Sequence, residues 1–100
     1  MIARPVQRIQ LEDAAAIFKA LSDPGRLQTL IILARRERTV GDLAEIEGDL
    51  IGTVSARLKV LLQARLVRRR KEGKTAIYSI ADAHVVKLVK NAVAHASEQR

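Results

Sequence analysis

Residues 39–80 read TVGDLAEIEGDLIGTVSARLKVLLQARLVRRRKEGKTAIYSI, and this stretch decides the fold. Thr39 stands three residues before Asp42, a capping-box-like start. Val40, Leu43, Ala44 and Ile46 then face inward along a short helix that Gly48 closes. After a tight turn, a further helix begins near Leu50 to Gly52, with Val54, Leu58, Leu61 and Leu62 on one face. Thr53, Ser55, Arg57 and Lys59 fall largely outside that stripe. Two helices joined by a short glycine-containing turn form a helix-turn-helix candidate. In such a unit the second helix turns small polar and basic side chains outward, as a reader of the DNA major groove requires. Next, Leu66–Arg70 and Thr75–Ile80 are β-prone runs around Lys71-Glu72-Gly73-Lys74, which predicts a hairpin. A hairpin placed directly after a helix-turn-helix is a wing.

Working outward, Leu11, Ala14, Ala15, Phe18 and Leu21 show helical spacing, after a start with no sustained period. Residues 1–10 are therefore expected to be an N-terminal arm, and 11–100 a single winged helix-turn-helix domain for DNA binding and dimerisation. Asp23-Pro24 reads as an N-cap and first-turn proline, opening a second helix with Leu27, Leu30, Ile31 and Ala34. Arg35, Arg36 and Arg38 suit the C-terminal end of that helix. Beyond the wing, Asp82 to Glu98 predicts a last helix with Val85, Leu88, Val89, Ala92 and Ala96 on one stripe. The expected fold is mainly α: five helices plus a small β-hairpin, paired as a homodimer because so short a chain buries little of its own surface.

Charge supports the same reading. The chain of 100 residues carries a net charge of +7. Residues 1–53 hold seven basic and eight acidic side chains, whereas residues 54–81 hold eight basic against Glu72 alone. Arg68, Arg70, Lys71 and Lys74 of the wing are candidate DNA contacts, with Thr53, Ser55, Arg57 and Lys59 of the preceding helix. With no cysteine there is no disulfide, thiolate metal site or thiol nucleophile. No uninterrupted apolar run exceeds the five residues of Leu30 to Ala34, too short for a membrane span or an export signal, so a cytoplasmic protein is expected. The two aromatic residues, Phe18 and Tyr78, are too few for stacking single-stranded nucleic acid.

In this order of elements the sequence resembles the ArsR/SmtB family of bacterial winged-helix repressors. The residues that carry the resemblance are Ile17 to Leu27 (IFKALSDPGRL), Thr39 to Ala44 (TVGDLA), Val54 to Leu61 (VSARLKVL), Leu66-Val67, Gly73 and Tyr78. The resemblance implies a homodimer that binds an operator and leaves it when an inducer, often a metal ion, binds. Two departures stand out. The recognition helix opens with Leu50-Ile51-Gly52, where family members often have a Ser/Gln-rich start, and has Ala56-Arg57 where they often carry a histidine. The third helix begins Arg38-Thr39-Val40-Gly41-Asp42, without the cysteines many relatives use to detect arsenic, lead or cadmium.

Both histidines, His84 and His95, lie in the last helix, with Asp82 and Glu98 beside them. Eleven residues at 100° each return to within about 20° of the starting face, so the histidines share a face with Glu98. They also lie roughly 16 Å apart along the axis, too far to share one ion within a helix. An antiparallel copy across a two-fold axis places Asp82 and His84 of one subunit beside His95 and Glu98 of the other. Two equivalent sites per dimer result, each with two nitrogens and two carboxylates. The same spacing is the pattern of the interfacial zinc site in SmtB-like members of the family. Such a donor set suits Zn(II), with Co(II) able to substitute; Ni(II) prefers more ligands or a planar set, and Cu(I) wants sulfur. A zinc-responsive repressor is the expected function. The alternative is a winged-helix DNA-binding regulator not controlled by metal. An enzyme is not expected, because four protein ligands close the metal shell and no nucleophile or phosphate-loop motif is present. A metal buffer would have no use for the basic wing.

Overall fold

The computed structural model describes residues 5–98. Its elements run α1 (Arg8–Leu21), α2 (Pro24–Arg35), β1 (Arg38–Thr39), α3 (Val40–Glu47), α4 (Ile51–Gln63), β2 (Val67–Glu72), β3 (Thr75–Ile80) and α5 (Ala83–Glu98). The five expected helices and the hairpin are all present, and together they form a winged helix-turn-helix. Among the described residues, no helix is long and apolar enough to cross a membrane.

Local chemistry explains the boundaries. Asp23 accepts a hydrogen bond from the Arg26 N–H at 2.9 Å and Pro24 opens α2, as the Asp-Pro pair predicts. Thr39 caps α3 by accepting from the Asp42 N–H at 3.1 Å, and Gly48 ends that helix at φ 68°. Two expectations change. The helix expected from Leu11 begins at Arg8, where Gln10 accepts from the Gln7 N–H at 2.8 Å and satisfies a donor at the helix entrance. Residues 1–4 of the expected arm lie outside the described residues. The second helix stops at Arg35, and Arg38 is instead in a strand that the sequence did not announce.

That strand makes the sheet three-stranded, in the order β1-β3-β2 and antiparallel throughout. Arg38 pairs with Tyr78 and Thr39 with Ile77, while Val67 pairs with Ile80 at the root of the wing. Thr39 therefore belongs to the sheet and caps α3 at once. The wing turns at Gly73, whose φ of 62° suits a residue without a Cβ.

The core gathers Leu30, Leu33, Leu43, Val54, Leu58, Leu61, Leu66, Val67, Val85 and Val89. Each large aliphatic side chain removed from water contributes about 1.5–3 kcal/mol, so α2, α3, α4 and the wing root are held on one apolar centre. Ile31 and Ile46, expected inside, are exposed. Ile46 near the end of α3 is in solvent, whereas the side chain of the next residue, Glu47, is enclosed. Leu88 of α5 is half-buried, and Ala92 and Ala96 are exposed on the single protomer.

Candidate nucleic-acid interface and metal-ligand residues

Helix α4 buries Val54, Leu58 and Leu61 and so turns Thr53, Ser55 and Lys59 to solvent. Arg57 is different. Its Nη1 donates to Asp49 Oδ2 at 2.7 Å and to Glu47 Oε1 at 3.2 Å. Glu47 is fully enclosed, and the buried Thr29 hydroxyl lies 2.9 Å from its Oε1. The Arg57 guanidinium lies over Gly25, where an added Cβ would stand 2.6 Å from Nε. The hydrogen bond to Asp49, with the charges of Glu47 and Asp23 behind it, holds the Arg57 pKa above its ordinary value. Expected to face bases with its neighbours, Arg57 is turned instead into the helix-turn-helix itself.

In the wing, strand alternation separates the basic residues. Arg68, Arg70 and Glu72 lie on one face of β2, and Val67, Arg69 and Lys71 on the other. Arg68, Lys71 and Lys74 are exposed and have no carboxylate partner among the described residues. Arg70 is paired: Nη2 donates to Glu37 Oε1 at 2.7 Å and to Glu72 Oε2 at 2.9 Å. These bonds raise the Arg70 pKa and lower that of Glu37. Arg69, which was not among the expected contacts, is exposed on the same face of β2 as Lys71. Its place in the basic run was the available signal. Glu37, Glu47 and Asp49 gave none, because partners such as Glu37 and Arg70 stand 33 residues apart.

On α5, Asp82 Oδ1 accepts from the Val85 N–H at 3.1 Å and so supports the helix start. His84 Nδ1 lies 3.5 Å from the same oxygen, on an almost fully exposed ring. His95 and Glu98 are exposed near the other end of the helix. The structure thus brings Asp82 and His84 together and holds His95 and Glu98 apart from them. Among the described residues of one protomer, no three such side chains converge on a point that could hold a metal.

Comparison with known proteins places this architecture. Residues 23–69, which span the helix-turn-helix and reach into the wing, match the arsR family of bacterial regulatory proteins. The transcriptional repressor SmtB homolog of Synechocystis sp. is 39% identical over 89 residues, 89% of this chain and 67% of that protein. The chain belongs to the ArsR family. It is therefore a winged-helix transcriptional regulator and not an enzyme. A second ArsR relative, the cadmium resistance regulatory protein CadC homolog of Staphylococcus aureus, is 39% identical over 87 residues, 86% of this chain and 72% of that protein. The homodimeric winged helix-turn-helix DNA-binding domain of Mb0332 from Mycobacterium bovis superposes with a TM-score of 0.85 and 35% identity, covering 97% of this chain and 92% of that one. Within this ArsR fold, Arg57 is bonded to the enclosed Glu47 carboxylate and to the partly exposed Asp49.

Proposed function

We propose that the chain is a zinc-responsive transcriptional repressor acting in the cytoplasm. The metal-free homodimer binds double-stranded operator DNA through α4 and the wing. Zn(II) between the α5 helices of two protomers stabilises an arrangement in which the two α4 helices no longer fit successive major grooves.

One observation carries this reading: four candidate oxygen and nitrogen ligands lie as two separated, exposed pairs at the two ends of α5, and among the described residues of one protomer they complete no shell. A second α5 running antiparallel supplies the missing pair. The donor set is two imidazoles and two carboxylates, which fits tetrahedral Zn(II) and admits Co(II). Because Asp82 Oδ1 supports the helix start, its Oδ2 remains for the metal. Uncovered Leu11 and Phe18 on α1 and Val93 on α5 supply apolar surface for the pairing. The homodimeric Mb0332 domain and the relatives named for repression and cadmium resistance support dimerisation, repression and metal response.

The test is a DNA titration by fluorescence anisotropy, using the promoter of the protein's own gene, with and without Zn(II). Zinc is expected to weaken operator binding by roughly 5–150-fold, and operator to weaken zinc binding by the same factor. His95→Ala should bind operator as the wild type does and lose the zinc response. If that variant releases operator at the wild-type zinc concentration, the interfacial site is not the sensor.

A further inference from the structure

Arg57 lies on the helix expected to read DNA, yet its charge is spent inside the protein. Its side chain is 20% exposed, and the two carboxylates it binds come from the end of α3 and from the turn that follows. The side chain of Glu47 is 0% exposed; Thr29, which bonds it, and Gly25, which the Arg57 guanidinium overlies, both belong to α2. One guanidinium thus ties α4 to α2, α3 and the turn between α3 and α4. Releasing Arg57 toward DNA would leave Glu47 as an enclosed carboxylate without its cation, which is strongly unfavourable.

We propose that Arg57 is the positioning residue of the DNA-reading helix: held by Glu47 and Asp49 over Gly25, it fixes how α4 leaves the turn and so how Thr53 and Ser55 meet the base edges. This rests on α4 being the reading helix. Sequence selectivity is then set partly by side chains that never reach DNA. Gly25 is part of the device, because only a residue without a Cβ leaves room for the guanidinium.

Gly25→Ala offers a direct test. The clashing atoms are the end of the Arg57 side chain, at 2.6–2.8 Å, so the new methyl displaces Arg57 without removing a charge or obstructing backbone. Alanine is also the better helix former at this α2 position. Gly25→Ala, Asp49→Asn and Arg57→Gln are compared with Lys59→Gln by anisotropy on the promoter duplex and on a scrambled duplex across a salt series. Circular dichroism confirms that each is folded. The first three are expected to lower the ratio of specific to non-specific affinity by about tenfold, the scale of coupling within one side-chain network. Their slope of log affinity against log salt should match the wild type. Arg57→Gln combined with Asp49→Asn should be no worse than the stronger single variant.

Lys59→Gln should behave oppositely, reducing the slope by about two per dimer with the ratio unchanged. A flattened slope in Arg57→Gln, or unchanged or tighter operator binding in Asp49→Asn, would mean that Arg57 contacts DNA, and would overturn the proposal. Wild-type selectivity in Gly25→Ala would overturn it without any question of misfolding. If Thr53→Ala, Ser55→Ala and Lys59→Gln all bind as the wild type does, the assignment of α4 as reading helix fails, and this role for Arg57 fails with it.

Discussion

Arg65 occupies a left-handed backbone position, φ 61°, which L side chains adopt reluctantly. It does so because α4 ends there. The Arg65 N–H donates to the Leu62 carbonyl at 3.0 Å and the Leu66 N–H to the Leu61 carbonyl at 2.9 Å, a helix stop that most often uses glycine. Leu66 then drops into the core. Arg65→Gly is expected to stabilise the fold by up to about 1 kcal/mol, net of the added freedom of the unfolded chain. A thermal melt checks this, since about 1 kcal/mol raises the Tm of a domain this size by roughly 4–8 °C. An unchanged or lowered Tm would show that the Arg65 side chain contributes more than its backbone costs. Gly52 is the reverse case. It sits in the first turns of α4 with nothing within 4 Å of an added Cβ. Gly52→Ala should raise stability by about 1 kcal/mol, read as a higher urea midpoint at constant slope. Weaker operator binding by the same variant would show that the missing side chain leaves room for DNA.

Among the elements, the wing makes its own claim about charge. Arg70 shares its charge with Glu37 and Glu72, whereas Arg68 on the same face of β2 has no such partner among the described residues. Arg70→Gln should therefore cost less operator affinity and change the salt slope less than Arg68→Gln, and equal losses would place Arg70 on phosphate despite its carboxylates. Folding lowers the Glu37 pKa, chiefly through the Arg70 hydrogen bond. That tie adds stability at pH above the unfolded value and loses it as pH falls through the folded one. A carboxyl NMR titration should give Glu37 a midpoint below the ordinary glutamate value of about 4.3, returning to it in Arg70→Gln. The helices, the caps at Asp23, Thr39 and Gly48 and the hairpin were legible because each writes a local period or a cap into neighbouring residues; the start of α1 at Arg8 and the stop at Arg65 were not. Strand β1 was not, since two residues have no period, and only their pairing with Tyr78 and Ile77 makes them a strand. Arg57 and Arg70 looked like free cations because their acidic partners are brought close only by the fold. The candidate ligand pairs at the two ends of α5 share a helical face in the sequence, and the meeting proposed for them requires a second chain that one sequence does not display.

At the scale of the whole molecule, the uncovered apolar residues on α1 and α5 predict an assembly. Sedimentation equilibrium should show a dimer at micromolar concentration, and replacing Phe18, a residue 61% exposed, by Glu should shift it toward monomer. Loss of stoichiometric zinc in that variant, with His84 and His95 intact, would confirm that each metal site spans two chains; full zinc binding by a monomer would refute it. A dimer neutralising about six phosphates should show a salt slope near −5 on a pseudo-palindromic operator. The doubled duty of Thr39, paired into the sheet with the wing and capping the helix before the reader, has a consequence for how such a protein evolves. Wing and reader are stitched into one unit within each protomer, so under the proposed function zinc has only to change how two such units are spaced. On that proposal, residues on the exposed face of α5 can be exchanged, and the cue they answer to replaced, while the apparatus that finds the operator is inherited unaltered.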